Sequence, residues 1–466
     1  MSDLQPRPPL RHAMRGMVRT ICSGLVLAGC TFGVSAQERF PLATVGCPMA
    51  HCDPSMSDQA RLRAPTVGER IAVDTLQTAG AGLSLGCTSN GTLAACTFRG
   101  NPATQSNLVV YGADGTRVWD DGGLLGASAR TAVPMVAKDG QLITADRDVV
   151  IRADPVNGRI VWNTPKPDTG TPVSPVPVGD GSMVLLATYS DAAGSSSGVS
   201  VWNAADGALL HALPIVDPAN GRHYATRNVP VVRGNRVYLL AEAEELASDG
   251  RLYALDICDS ATCGGRGQVS IAWFFAFEGP SGASPLAIGS RIYFDGRPES
   301  GGGTFFGVYD LGPRAFQLWR QDAVNRFVAS AAKDPRGGLW VFPMQQGKLQ
   351  RLDGRTGQIV QELLLDNLFP GAPGQIINSA VTVARGPGGA VALIFATRVP
   401  ARGASRVMAV DVSSTVAGSV LWSSIIAEDA SINGAAGQFP IVVDTAGRRR
   451  IVFVGNNSST FFYGEP

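Results

Sequence analysis

The chain has 466 residues, 45% of them hydrophobic and 17% charged, and a formal net charge of +1, so it is globular material with length enough for a large core. With no basic run beyond Arg448-Arg449-Arg450, it lacks the electrostatic footprint that nucleic acid requires of a partner. Its 56 glycines and 30 prolines break helix interiors and suit many short strands joined by tight turns.

Arg11, Arg15 and Arg19, followed by an apolar stretch from Ile21 to Val34, read as an export signal too short to span a bilayer comfortably. The small residues of Val34-Ser35-Ala36 suit cleavage before Gln37, with 1–36 as the signal peptide. A rival reading stands beside it. Leu27-Ala28-Gly29-Cys30 has the form of a bacterial lipobox, in which 1–29 are removed and Cys30 carries a lipid. Both readings export the protein, to the periplasm or, with the lipid, to the outer membrane.

Residues 37–66, rich in Pro, Met and Asp and without clean periodicity, are expected to form a Cys-containing extension or linker. Export leaves six cysteines in three sequence-close pairs: Cys47 with Cys52, Cys87 with Cys96, and Cys258 with Cys263. These are candidate disulfides, although sequence does not fix their connectivity. A c-type haem needs His directly after the second Cys of Cys-x-x-Cys, whereas here His51 precedes Cys52.

From residue 67 onwards the pattern is all-β. One unit recurs: an acidic or polar residue, a turn glycine four positions on, and a bulky residue eight positions on. It runs Asp154-Gly158-Trp162, Tyr111-Gly115-Trp119, Asn203-Gly207-His211 and Asp353-Gly357-Gln361, with looser versions closing at Trp273, Trp319 and Trp422. Each unit opens with a small residue or proline in an apolar stretch, as in Val133-Pro134, Ser174-Pro175, Val229-Pro230, Ser284-Pro285, Ala329-Ser330, Ser379-Ala380 and Phe439-Pro440. Proline is tolerated on a strand with one free edge, such as the innermost strand of a propeller blade. Repetition at roughly 40 to 60 residues without helices signals radial repetition. For the first unit, strands are expected at 82–85, 92–98, 107–111 and 116–119. The segment 439–463 supplies three strands, and the orphan strand Gly68–Val73 would supply the fourth. The expectation is an eight-bladed β-propeller of four-stranded antiparallel blades over 67–466, closed by an N-terminal strand that completes the C-terminal blade.

With glycine turns, closing tryptophans and Pro-led inner strands in this order, the repeat resembles that of the pyrroloquinoline quinone (PQQ)-like eight-bladed propellers, the quinoprotein alcohol dehydrogenase-like superfamily. The resemblance implies the fold; the superfamily holds quinoprotein dehydrogenases as well as non-catalytic scaffolds. The dehydrogenases carry vicinal cysteines, a calcium held by acidic and amide side chains, and an Asp base. This chain has no adjacent cysteines, so no acid here can be carried over as base or ligand.

Chemistry-bearing residues are few. Of four histidines, His223, in a loop with Arg222 and Tyr224, is the functional-loop candidate. Gly194-Ser195-Ser196-Ser197-Gly198 has the letters of a nucleophile elbow, but it joins two strands rather than a strand and a helix. Glu242, Glu244, Glu245 and Asp249 read as a solvated acidic loop. Catalytic and cofactor-binding residues stay unassigned, and no metal site is expected. The reading is therefore an exported, non-catalytic, monomeric propeller without a cofactor. It would bind a protein or another envelope component through the insertions 190–198, 216–228, 242–250, 258–267, 298–304 and 400–405, with no nucleic acid and with membrane contact only through a lipid anchor. The alternative is a periplasmic oxidoreductase, dependent on PQQ and calcium or otherwise atypical.

Overall fold

The computed structural model describes residues 39–75, 86–98, 106–190, 197–244, 246, 248–260, 263–279, 283–296, 302–323, 330–343, 346–399, 405–427, 437–455 and 459–466. The export signal and Cys30 lie outside these residues. The strands pair into eight sheets, which are the blades of one propeller. Blades 1 to 8 span 87–120, 135–165, 171–214, 224–278, 286–323, 332–364, 376–427 and 441–464. In blades 1 to 7 the chain runs from an inner strand at the axis to an outer strand at the rim, and blade 8 takes its outer strand from the N-terminal segment.

Where a proline opens the unit, the inner strand starts at the next residue. Pro134 precedes Met135–Val136, Pro175 precedes Val176–Val178, Pro230 precedes Val231–Arg233 and Pro285 precedes Leu286–Ile288. Because proline has no N–H to give to a ladder, it stands at the strand's threshold. The serine that precedes some of these prolines ties neighbouring blades: Ser174 Oγ accepts the Val133 N–H at 3.0 Å and Ser284 Oγ the Val229 N–H at 3.0 Å. Likewise, Ser330 Oγ accepts the Ser284 N–H at 2.8 Å. In blade 1 the expected strand 82–85 falls outside the described residues, and the inner strand is Cys87–Ser89.

The closing residue of each repeat follows a β-bulge on the outer strand. The register skips one residue just before Trp119, Trp162, His211, Trp273, Trp319, Gln361 and Trp422. A bulge turns the following side chain out of the regular alternation, and here it aims the tryptophan at the next blade. Trp162 Nε1 donates to the Ala204 carbonyl at 3.3 Å and Trp319 Nε1 to the Gly354 carbonyl at 3.3 Å. The turn glycine of the receiving blade lies against the indole. A Cβ at Gly207 would come within 2.5 Å of Trp162, and one at Gly357 within 2.6 Å of Trp319. Both glycines also have φ of +73°, a left-handed conformation disfavoured for L residues. The repeat glycine at these positions is therefore required twice, for backbone and for space.

Ring closure uses the same parts. Strand β2 (Glu69–Thr75) pairs antiparallel with Ser459–Gly464 as the outermost strand of blade 8. Trp422 donates to the Pro65 carbonyl at 2.9 Å, and Gly68 sits where a Cβ would reach 2.2 Å from its ring. A second N-terminal strand, β1 (Gln59–Arg63), lies parallel to the inner strand Thr382–Arg385 of blade 7.

Replacing Gly357 by Ala should lower unfolding stability by about 2–4 kcal/mol, from the left-handed backbone and the collision with Trp319. Gly337→Ala has equally positive φ but open space around it and should cost less. Urea denaturation of both variants checks the difference.

Candidate functional site

A propeller's axis is its natural site, since all inner strands converge there. In this protein the axis is filled by its own chain. Residues 40–46 cross one face: the Phe40 N–H donates to the Gly181 carbonyl of blade 3 at 2.9 Å, and Leu42 forms a bridge with Ala137 of blade 2. The chain then enters the channel as a plug, residues 47–58, and leaves along blade 7 as β1. Cys47, Met49, Cys52, Met56, Ser57 and Asp58 are buried to within 1%.

The plug is held through its backbone. An inner strand leaves N–H groups pointing at the axis, and buried N–H groups need acceptors. The carbonyls of Pro48, Pro54, Ser55, Ser57 and Asp58 accept from Val136, Val232, Ala287, Lys333 and Val383, at 2.7, 2.7, 3.0, 2.9 and 2.7 Å. These donors belong to blades 2, 4, 5, 6 and 7. Blade 1 bonds Cys47 through Ser89 in both directions, at 3.0 and 2.8 Å. Blade 8 contributes Gln438, whose Oε1 accepts from the His51 N–H at 2.7 Å while its Nε2 donates to the Met49 carbonyl at 2.9 Å. Segment 40–58 thus bonds to every blade. Within the segment expected as an extension or linker, residues 47–58 are interior structure.

Among the described residues, the non-glycine positions with positive φ are His51, Cys52, Met56 and Asp58, all within the plug. Such backbone survives only where its surroundings over-determine it, as the eight blades and the Cys47–Cys52 disulfide do here. His51 stands at the tip. Its Nδ1 lies 3.1 Å from both oxygens of Asp58 and its Nε2 3.1 Å from Ser284 Oγ. Burial works against the imidazolium, but the Asp58 carboxylate outweighs it and holds the His51 pKa above its usual 6.5.

The order Asp-His-Ser is that of a nucleophile relay. Ser284, however, is 7% exposed, and its Oγ is already engaged by the Val229 N–H. Ser174 and Ser330 make the same blade-to-blade tie with no histidine. The arrangement therefore fastens the plug tip to blade 5.

The other sequence candidates resolve as follows. Cys87–Cys96 and Cys258–Cys263 are disulfides as well; the former links directly opposed residues on adjacent strands. Arg222, His223 and Tyr224 are not presented as a group. The Tyr224 hydroxyl donates to Asp249 at 2.6 Å, Arg222 reaches the same carboxylate at 3.3 Å, and Arg251 lies over the Tyr224 ring at 4.4 Å. His223 forms a backbone bridge with Val216. The acidic loop is likewise committed, with Glu242 paired to Arg227 at 3.0 Å and Glu244 bonded to Ser197. Glu245 and 191–196 lie outside the described residues.

Strand direction sorts the insertions. The strands flanking 190–198, 242–250, 298–304 and 400–405 are the second and third of their blades, and those flanking 216–228 belong to two blades, so the chain enters and leaves all five on the face where inner strands begin. The insertion at 258–267 joins a third to a fourth strand and belongs to the other face, the one crossed by 40–46. What sequence reasoning missed is the plug, in which Asp58, Ser284 and Gln438 gain their roles from contacts remote in the chain.

Residues 104–263 match the family model described as outer membrane protein assembly factor BamB. No curated protein matches the sequence. Among solved structures, a quinohemoprotein alcohol dehydrogenase from Pseudomonas putida HK5 superposes with a TM-score of 0.61 at 11% identity, over 90% of this chain and 80% of that one. The corresponding enzyme from Comamonas testosteroni gives 0.57 at 11%, over 93% and 82%, and the Dos1 propeller 0.55 at 10%, over 85% and 95%. The likeness is one of fold: the ring is an eight-bladed propeller of the PQQ-like type.

Two outcomes follow from the plug. His51→Ala leaves Asp58 buried without its partner and should cost about 3–5 kcal/mol in urea unfolding. Because the folded-state pKa of His51 is raised, the stability it lends is complete below pH 6.5 and falls away as pH climbs through the folded value. Unfolding midpoints measured from about pH 6 to about pH 9 should decline in the natural protein, and this component should vanish in His51→Gln.

Proposed function

We propose that the protein is an exported, non-catalytic propeller of the bacterial cell envelope that binds another envelope protein through its insertion-bearing face. The observation that carries this reading is the closed axis. Where a propeller enzyme keeps a funnel for substrate, this chain places its own residues 47–58, bonded to the inner strands. Recognition then falls to the loops, which a rigid scaffold presents while tolerating their variation. Five of the six insertions share one face, and that clustering supports a single binding surface. The match of 104–263 to a model described as an outer membrane assembly factor supports a protein partner in the envelope. Three disulfides suit an oxidising compartment.

The alternative, a quinone-dependent oxidoreductase, rests on the dehydrogenase folds. A planar quinone with calcium asks for a slot and for a cluster of oxygen ligands. The axis is occupied by the plug, and among the described residues no group of three His, Cys, Asp or Glu side chains could hold a metal ion. Residues 47–58 take the space at the axis through which that cofactor pair would be reached.

Melting the mature protein with and without PQQ plus calcium should show no shift, and the dialysed sample no quinone absorbance. A ligand that binds the folded state raises the melting temperature in proportion to its saturation, so a clear rise with retained quinone would sink the scaffold reading. Affinity capture from detergent-solubilised envelopes should retain a partner in stoichiometric amount. Charge reversals at Arg227 and Glu242, which border the insertion-bearing face, should weaken that capture at least tenfold, whereas reversal of Asp180 on the opposite face should leave it unchanged.

A further inference from the structure

The crossing segment 40–46 covers blades 3, 2 and 1, and β1 covers blade 7, which leaves a gap on that face between β1 and blade 6. It opens as a cavity of about 650 Å³, within the usual range for small-molecule sites. Ala60, Val383 and Ala384 make it partly apolar, and Arg61, Lys333 and Arg385 line it as well. Arg63 is the direct Cα partner of Arg385 across the parallel β1 pairing, and both are exposed. The pairing brings a second arginine beside Arg385, although Arg63 itself does not line the cavity.

Like charges directly opposite on neighbouring strands are destabilising. No ion pair to Arg61, Arg63, Lys333 or Arg385 is found among the described residues; Arg61 donates to the Thr44 carbonyl at 3.0 Å. The acids nearby are committed elsewhere. Asp53 also lines the cavity but turns into its own loop, accepting from the Ser55 and Ser57 N–H groups at 2.9 and 3.3 Å and from the Ser57 hydroxyl. Asp334 is bonded to Arg336 and Arg351. Elsewhere in the ring Arg236 finds carboxylates, in Asp256 and Asp310.

We propose that this cavity binds an oxyanion, a phosphate or carboxylate group attached to a small, partly apolar body. Guanidinium forks match such oxygens bidentately, and the ligand would relieve the repulsion that the fold leaves unrelieved. The site lies on the face opposite the clustered insertions, so it stands whether or not the protein-binding reading holds. The oxyanion comes either from a soluble molecule or from a lipid headgroup, and the test separates the two.

The mature protein is titrated at low ionic strength with pyrophosphate and with citrate, reading melting temperature and calorimetric affinity. It is also sedimented with vesicles of phosphatidylglycerol in phosphatidylcholine, against phosphatidylcholine alone. A rise in melting temperature with either soluble probe, weakened at least tenfold in affinity by Lys333→Gln with Arg385→Gln, supports a soluble ligand. Binding to the anionic vesicles alone, lost in the same variant, supports a headgroup. Without probe the variant should melt no lower than the natural protein, because the Arg63–Arg385 opposition is gone; a purely structural role for these cations would lower it. Should the double variant fail to fold, Lys333→Gln alone is compared. The proposal is overturned if neither soluble probe nor anionic vesicle binds, or if the variants bind as well as the natural protein.

Discussion

The ring depends on how its inner strands satisfy the edge that faces the axis. Every blade exposes one such edge, and an open row of N–H groups is both a cost when buried and an invitation to stray pairing. Many propellers leave that edge to water in a channel. Here the N-terminal segment supplies carbonyls to five inner strands, those of blades 2, 4, 5, 6 and 7, and the remaining blades are tied through Cys47, Gln438 and Phe40. The channel thereby becomes core, with Met49 and Met56 wholly buried on the axis. Methionine suits that place, because its flexible thioether fills irregular space.

A second constraint acts at the rim, where blades are held to each other rather than to the axis. The bulge before each closing residue, the indole that donates to a carbonyl of the next blade, and the glycine under that indole work as one device at Trp162 and Trp319. At the seam the partners are Pro65 and Gly68, from the N-terminus. The seam between first and last segments is therefore built like the other blade contacts, with an added strand from each end. Removing either end would unmake an outer strand and one blade contact together, so the termini are as integral to the ring as any repeat.

This division explains what was legible beforehand. The rim device depends on side chains, a glycine that cannot be replaced and a tryptophan that must follow a bulge, and such requirements mark the sequence at fixed spacing. Blade number, the orphan strand at Gly68 and the inner-strand prolines could all be read from them. Where a proline opens the unit, the inner strand begins directly after it rather than at the residue before it. The plug, by contrast, bonds through backbone carbonyls, which any residue possesses. His51, Cys52, Met56 and Asp58 adopt left-handed backbone without being glycine, so even the usual turn signal is missing. Ser284 reads as one more blade-starting serine until the fold brings it to His51, 233 positions away in the chain.

The cost of the plug bears on its role. Left-handed backbone at four non-glycine residues is unfavourable by roughly 1–2 kcal/mol each, and Asp58 sits fully buried at the centre. Such a segment would not hold this shape alone; it is shaped by the blades and in turn completes them. Strain retained at an axis often marks a reactive centre, yet here every polar group at the tip has a partner that also serves the fold: Asp58 through His51, His51 through Ser284 and Gln438, and Ser284 through blade 4. The strain is thus the consequence of turning one chain tightly enough to meet eight edges. Closing the axis in this way separates the two faces of the ring, one carrying most of the insertions and the other crossed by the N-terminal segment.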